Sequence, residues 1–397
     1  MRVAIVKPDW QIRGGFELVV DRIVEHLGAS GHRVDVVGFD AWRVDRRPFG
    51  IRVSDAEWDR SPGYFTYLGQ LEKTKGLDVS AADLVISTQP PSFAVEHSRH
   101  LSLFFHHLRP FYDLGPYVIR AGMVDPVIHQ AASVAIRRID DAALAGVRHI
   151  LAGGESVVER LVDFNSRQDG VGLFLAGPSS GVSLSQVERQ EPQHVLCVSR
   201  HDFPKRTELF VHAARLMPEL AAVAVGAGGR LGRVRQLDRQ FDETGTPPEI
   251  SDEELWLNDP PWMDPASFAD APNARSNLSF KSGVDDERLA ALYAHAHCLV
   301  APALLEDYGL TVLEAMRAGI PAVVCADGGH LTHFVEHEHN GLVVEPSGAA
   351  IVEAVRRIAS DPGLRAALGD RARETAAAFT WQRAFRQFDD GLEMVMS

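Results

Sequence analysis

Glu306 and Glu314 stand eight positions apart in the stretch LEDYGLTVLEAMRAGIPAVV, with Gly309 between them. Two carboxylates of this kind can accept hydrogen bonds from hydroxyls or favour growing positive charge, provided that one ligand reaches both. On a single α-helix, eight residues amount to about 80° of rotation and two turns of rise, so the pair would not converge on one small group. The flanking residues predict a different arrangement. APALLEDYG reads as a strand end and loop, and LTVLEAMRAG as a helix that stops at Gly319 with Pro321 beyond it. Glu306 is then expected in the loop and Glu314 a turn or so inside the helix. An elongated ligand lying across the helix start would touch both, with the amides of Tyr308, Gly309 and Leu310 facing its negative charge.

Cations suited to such a charge lie in VSRHDFPKR, where Arg200 and Lys205 follow a strand end. Arginine offers a planar fork to two oxygens and lysine a compact charge on a flexible stem, a combination that suits a diphosphate. The alternative is a pair of solvated surface cations. Lys7, Lys73, Lys75, Lys205 and Lys281 are the only lysines among 40 Lys and Arg residues, so where Arg is the habitual cation a Lys is there for its shape. RGGFE sets Gly14 and Gly15 at the mouth of the first helix, either for close approach to a ligand or as an ordinary βα turn. VGAGGRLG is the other glycine cluster; Gly226, Gly228 and Gly232 miss the dinucleotide fingerprint by one residue, and the cluster reads as a strand-to-helix turn near a base or ribose.

Histidines form two groups. FFHHLRPFYD puts His106 and His107 at a strand end, where alternation turns only one of them toward a ligand. His106 is taken as that one, placed to bond a sugar hydroxyl or an attacking group; incidental histidines at a capped strand end are the alternative. In GGHLTHFVEHEHNG, His333 and His337 are four apart and on a helix would share a face suited to a metal. No partner motif such as H-E-x-x-H accompanies them, a polar helix end accounts for them, and no metal is assigned.

These loops need a scaffold that gathers strand ends. RVAIVKPDW, QIRGGFELVVDRIVEHLGASGH and RVDVVGF read as strand, helix and strand, a βαβ opening that commits the chain to a parallel α/β class. DLVISTQPP, LSLFFHHLRP and HILAGG continue as strands. After the polar, turn-rich AGPSSGVSLSQVERQEPQ the alternation restarts at HVLCVSR and runs to NGLVVEP. The expected organisation is a Rossmann-like domain over 1–177, a linker over 178–193, a second Rossmann-like domain over 194–377, and an amphipathic helix over 378–397 free to cross back to the first domain. Two doubly wound parallel sheets joined by one linker face across a cleft, and ligands bind at their strand C-termini. Leu237 to Ser276, acidic, proline-rich and dotted with aromatics, is too long for a plain link and reads as an insertion.

The net charge of −14 argues against a nucleic acid polymer as partner. Cys197, Cys298 and Cys325 are scattered through apolar runs, which suits buried thiols in a reducing cytosol rather than disulfides or zinc. The N-terminal apolar run is broken by Lys7 and Pro8, so it is a strand and not a signal peptide; with no apolar run long enough to span a bilayer, the expected location is cytoplasmic.

In order along nearly the whole chain, GGFELVV, SRHDFPKR, VGAGG, LSFKSGVDDERLAALYAHAHCLVAPALLEDYGLTVLEAMRAGIPAVV and NGLVVEP resemble the retaining GT-B glycosyltransferases of the group-1 class, family 4. The resemblance implies that Glu306 faces the hydroxyls of a donor sugar and Glu314 the ribose of its nucleotide. It implies that the amides of Tyr308, Gly309 and Leu310 hold the donor, that Arg200 and Lys205 stabilise the departing diphosphate, and that Gly14 and Gly15 close on it from the first domain. Neither a cofactor nor a divalent metal is then expected, with a nucleotide-diphosphate sugar as substrate. The acceptor, a small molecule, glycan or lipid, would be set by first-domain loops; FFHHLRPFYDLGPY suits an apolar pocket or peripheral contact with a membrane surface. The chain departs from the family where Thr332 and His333 stand in place of a frequent Glu, in the loosely matching histidine segment, and in the acidic insertion. Three other readings remain: a Rossmann-type oxidoreductase or epimerase, which lacks its fingerprint here, a non-catalytic nucleotide-sugar-binding module, and a pseudo-glycosyl coupling enzyme on the same fold.

Overall fold

A computed structural model of the chain describes residues 1–11, 14–178, 187–244, 251–258 and 276–397. It comprises two units, Met1–Ala176 with Trp381–Ser397, and Gly177–Thr380. Within the expected linker, 179–186 lie outside the described residues, as do 245–250 and 259–275 of the expected insertion.

In the first unit β1 (Arg2–Asp9), β2 (Arg33–Asp40), β3 (Leu84–Ser87), β4 (His100–Phe104), β5 (His149–Ala152) and β6 (Val171–Leu173) form a parallel sheet in the order β2-β1-β3-β4-β5-β6. Val3 lies opposite both Val34 and Leu84. β3, β4 and β5 are buried along their whole length, as expected of strands covered on both faces. The helices are α1 (Gly15–Ala29), α2 (Asp55–Arg60), α3 (Pro62–Lys75), α4 (Gly115–Arg120), α5 (Pro126–Ala145) and α6 (Glu155–Asn165). Phe93, Phe104, Ile150, Val157 and Leu161 pack as one cluster of its core.

In the second unit β7 (His194–Val198), β8 (Ala222–Val225), β9 (Leu278–Lys281), β10 (Ala296–Ala301), β11 (Ala322–Cys325) and β12 (Gly341–Val344) are ordered β12-β11-β10-β7-β8-β9. All pairs are parallel, and Leu299 of β10 lies opposite Leu196 on one side and Ala322 on the other. Its helices are α7 (Thr207–Leu216), α8 (Leu231–Thr244), α9 (Asp252–Leu257), α10 (Asp286–Ala294), α11 (Leu310–Arg317), α12 (Leu331–Phe334), α13 (Gly348–Ser360) and α14 (Pro362–Ala376). The last helix, α15 (Trp381–Met396), belongs to the first unit: Phe388 is fully buried, Gly391 lies against Leu151, and Gln387 Oε1 accepts from the Leu175 amide at 2.9 Å.

Strand order decides where a site can form. The winding reverses between β1 and β3 in the first sheet and between β7 and β10 in the second. At such a point neighbouring connections leave toward opposite faces and open a crevice at the strand C-termini. The loops carrying Arg200, Lys205 and Glu306 follow β7 and β10, the strands that flank the second reversal.

Three expectations change. Residues 237–244 are the C-terminal part of α8, the crossover helix between β8 and β9, so the insertion begins later than its composition suggests. β4 ends at Phe104, leaving His106 and His107 in a loop rather than on a strand. A sixth strand, β6, precedes the linker. Cys197, Cys298 and Cys325 are buried and free, and burial pushes each thiol up to about 12. Among the described residues no helix is long and apolar enough to cross a membrane.

Candidate functional site

Lys205 ends a one-turn 3-10 helix (Phe203–Lys205) after β7, and its Nζ donates to Glu306 Oε2 from the loop after β10. Glu306 is held through its backbone. Its amide donates to Gly328 O at 3.0 Å, its carbonyl accepts from the His330 amide at 2.9 Å, and the amides of Leu304 and Leu305 donate to Pro204 O and Asp327 O at 2.7 and 2.8 Å. Glu306 thereby forms a short parallel bridge with Gly329. A Cβ on Gly329 would come within 2.8 Å of the Glu306 amide nitrogen and carbonyl oxygen, so glycine there lets the two loops touch.

Arg206, which the sequence reading did not single out, is 1% exposed. Its Nε donates to Pro302 O at 2.7 Å, Nη2 to Ala303 O at 3.2 Å, and Nη1 to Asp327 Oδ2 at 2.8 Å, with Nη2 on the other carboxylate oxygen. One guanidinium thus ties the start of the Glu306 loop to the loop after β11. The backbone of Arg206 is left-handed, φ 47°, a conformation that costs a non-glycine residue about 1 kcal/mol and persists where surroundings over-determine it. No local sequence signal marks this Arg as buried.

α11 starts at Leu310, one residue after Gly309, whose backbone is left-handed at φ 98°. Among the described residues no acceptor faces the amides of Gly309, Leu310 or Thr311, so this helix start presents donors and the positive end of its dipole. Tyr308 is buried, its ring stacked 5.5 Å from His330 and edge-on to Phe334. Glu314 is inside the helix and 5% exposed, and its Oε2 accepts from Tyr293 Oη of α10 at 3.1 Å. Burial, then the Glu314 charge, pushes the Tyr293 phenol well above its usual range, so it stays a donor to that carboxylate.

Arg200 turns elsewhere. Its side chain is mostly exposed and lies 3.3 Å from Asp202, not at the Lys205–Glu306 pair. Gly226 follows β8 with φ 145°, and a Cβ there would fall 1.9 Å from Ser199 O. That position is glycine because the turns after β7 and β8 press together; the Gly226 amide donates to Lys281 O and its carbonyl accepts from Ser282 Oγ, both at 2.8 Å. His201, fully buried beside it, is held well below the usual histidine range, at about 4, by burial.

In the first unit the Gly14 amide donates to Glu17 Oε2 at 2.9 Å, the start-box of α1, and Glu17 Oε1 lies 3.3 Å from Lys7 Nζ. Gly15 begins α1. His107 is buried among Phe104, Tyr112 and Phe164, its Nε2 2.7 Å from Asn165 Oδ1, and burial lowers it to about 4. His106 is half-buried, with Nδ1 2.8 Å from His107 O. The shared helix face expected for His333 and His337 does not exist: α12 ends at Phe334, and the His337 ring accepts from the Val343 amide at 3.1 Å.

Residues 266–375 match the model of the family described as glycosyl transferases group 1. The chain is 36% identical over 122 residues to a D-inositol 3-phosphate glycosyltransferase of Kribbella flavida, a match covering 28% of this chain and 28% of that protein. Curated relatives of this kind are therefore matched over less than a third of their length. Among solved structures it resembles a sucrose-phosphate synthase from Thermosynechococcus elongatus, with TM-score 0.71 and 20% identity, covering 100% of this chain and 99% of that one. It also resembles the Anabaena protein HepE in complex with UDP and glucose, with TM-score 0.64 and 14% identity over 99% of each chain. The fold these neighbours share with it is GT-B.

Proposed function

We propose that this chain, with its glycosyl transferases group 1 segment and its GT-B fold, transfers a sugar from a nucleoside diphosphate donor to an acceptor, retaining the anomeric configuration and using no divalent metal or other cofactor. The observation that carries the reading is the Lys205–Glu306 pair at the winding reversal of the second sheet, next to the open amides of α11. As the bond to the diphosphate breaks, charge grows on the leaving oxygens. Lys205, with Arg200 swinging in from the same loop, donates to that charge, and the start of α11 supplies further donors and a favourable dipole. Glu306 orients donor hydroxyls and favours positive charge at the anomeric carbon. Glu314, set by Tyr293, accepts from the ribose, with the Gly226 turn near the base. Gly14 and Gly15 serve the donor phosphate and His106 a hydroxyl of donor or acceptor. The acceptor is a small molecule, a glycan or a lipid, and the reaction is cytoplasmic.

Melting the protein with UDP, GDP, ADP or TDP, then following hydrolysis of the matching nucleotide sugars, tests this. A raised melting temperature with one nucleotide and slow release of its sugar are expected. Binding without any turnover would leave a binding module, and a response to NAD(H) alone would replace the reading with a dinucleotide enzyme.

A further inference from the structure

α9 belongs to the insertion and is six residues long, too short to persist alone. Docking is what orders it. Leu255, Trp256 and Leu257 are buried, and the carbonyls that end the helix, which lack partners within it, meet two arginines. Arg233 of α8 donates to Leu255 O at 2.7 Å and to Asn258 O; Arg230, just ahead of α8, donates to Trp256 O at 2.5 Å. Both arginines share Glu208 Oε1 of α7, at 3.0 and 2.9 Å. At the other end of α9, Asp252 Oδ1 lies 2.7 Å from His212 Nδ1.

What this docking holds in place is the Trp256 indole. Its ring lies 5.6 Å from that of Phe203, the first residue of the turn that ends at Lys205, and the Arg206 guanidinium lies 5.3 Å from its centroid. The Arg230 guanidinium covers Phe203 in turn, 4.6 Å from its ring. Residues 203 and 206, on either side of Lys205, are both gripped by one aromatic side chain of the insertion.

We propose that Trp256 is a positioning residue: by holding Phe203 and Arg206 it fixes the direction of Lys205 toward Glu306 and, through Arg206, the seat of the Glu306 loop. The insertion is on this account a working part of the site. The kinetic consequence rests on the transferase reading above, whereas the structural consequence does not.

Trp256→Leu keeps an apolar body and removes the aromatic face, and Trp256→Phe restores a face. Trp256→Leu is expected to lower kcat roughly 3- to 30-fold, with donor KM changed less than about twofold. The amides of Leu304, Leu305 and Glu306 are expected to exchange with deuterium faster, and Trp256→Phe to recover most of both properties. A Trp256→Leu protein that only melts earlier, with wild-type kcat and unchanged exchange at those amides, overturns the proposal, because Trp256 then merely packs. Should Trp256→Leu fail to fold, Phe203→Leu reads the same two quantities. Absence of any transfer by the wild-type protein would instead defeat the transferase reading, and the exchange measurement would still decide the role of Trp256.

Discussion

Beside the winding reversal of the first sheet, Lys7 and Gly14 share a single acid, Glu17, and the adjoining groove of about 360 Å³ on the β2 side is lined by Asp9, Glu17 and Asp21, with Lys7 its one cation among the described residues. At the reversal of the second sheet, a buried Arg206 grips three loop oxygen sites while Lys205 meets Glu306 and a helix start offers its amides. The same topological device is thus furnished in opposite ways. Carboxylates along a groove suit hydroxyls, whereas fixed cations and amides suit a diphosphate. The difference is the one that the proposed reading requires of a donor site in the second unit.

Removing Lys205 should have the largest effect on that contrast. Losing one charge-assisted donor to a leaving diphosphate costs about 2–4 kcal/mol of transition-state energy, so Lys205→Ala should lose roughly 30- to 1,000-fold in kcat, while Lys7→Ala stays within about threefold. Equal losses would erase the distinction between the two reversals. Next comes stability. Arg206→Met strands Asp327 and two carbonyls and should cost about 3 kcal/mol by urea denaturation, against under about 1 kcal/mol for Glu17→Gln. Third, the two glutamates should separate by role: Glu306→Gln should depress kcat about tenfold with little change in donor KM, and Glu314→Gln should raise KM by a similar factor. Normal donor binding by Glu314→Gln would reduce it to a partner of Tyr293.

A smaller, pH-dependent effect belongs to the first unit alone. Burial pushes the carboxyl of Asp140 up to about 7, against hydrogen bonds from Tyr67 and Tyr112 that favour its charge. A raised folded value means the native state holds the proton more tightly. Its stabilisation is complete below about pH 4, the range of the unfolded carboxyl, and is lost as pH rises through about 7. Wild-type melting temperature should fall more between pH 5 and 8 than that of Asp140→Asn; parallel curves would show that Asp140 does not titrate there. Least of all should chelation matter: on the proposed reading, in which side chains and a helix start do the work of a metal, EDTA-treated protein should keep transfer to within about twofold. Loss on chelation, restored by magnesium or manganese, would put a cation in the site.

Much of this arrangement could be read from local pattern. Alternating apolar runs and amphipathic helices announce parallel sheets, and Gly309, Gly319 and Pro321 bracket a helix that puts Glu306 outside it and Glu314 inside. What escaped depends on contacts distant in sequence. Arg206 is recognisable as buried only once Asp327, Pro302 and Ala303 stand around it. Gly226 reads as a ligand turn, and the sequence could not show that the Ser199 carbonyl, 1.9 Å from where a Cβ would fall, also requires glycine there. α8 was obscured because its charged sequence runs on into prolines and acids that lie beyond its end.

The place of α15 bears on how the polypeptide is made. Gly177–Thr380 is contiguous, so on emerging from the ribosome it holds every strand of its own sheet. The first unit, begun earlier, waits for the stretch that follows the second: until Phe388 and Gly391 arrive, Leu151 and Phe174 lack their cover. The earlier sheet is therefore the later one to be finished, and during that interval its apolar face is open to chaperones or to aggregation.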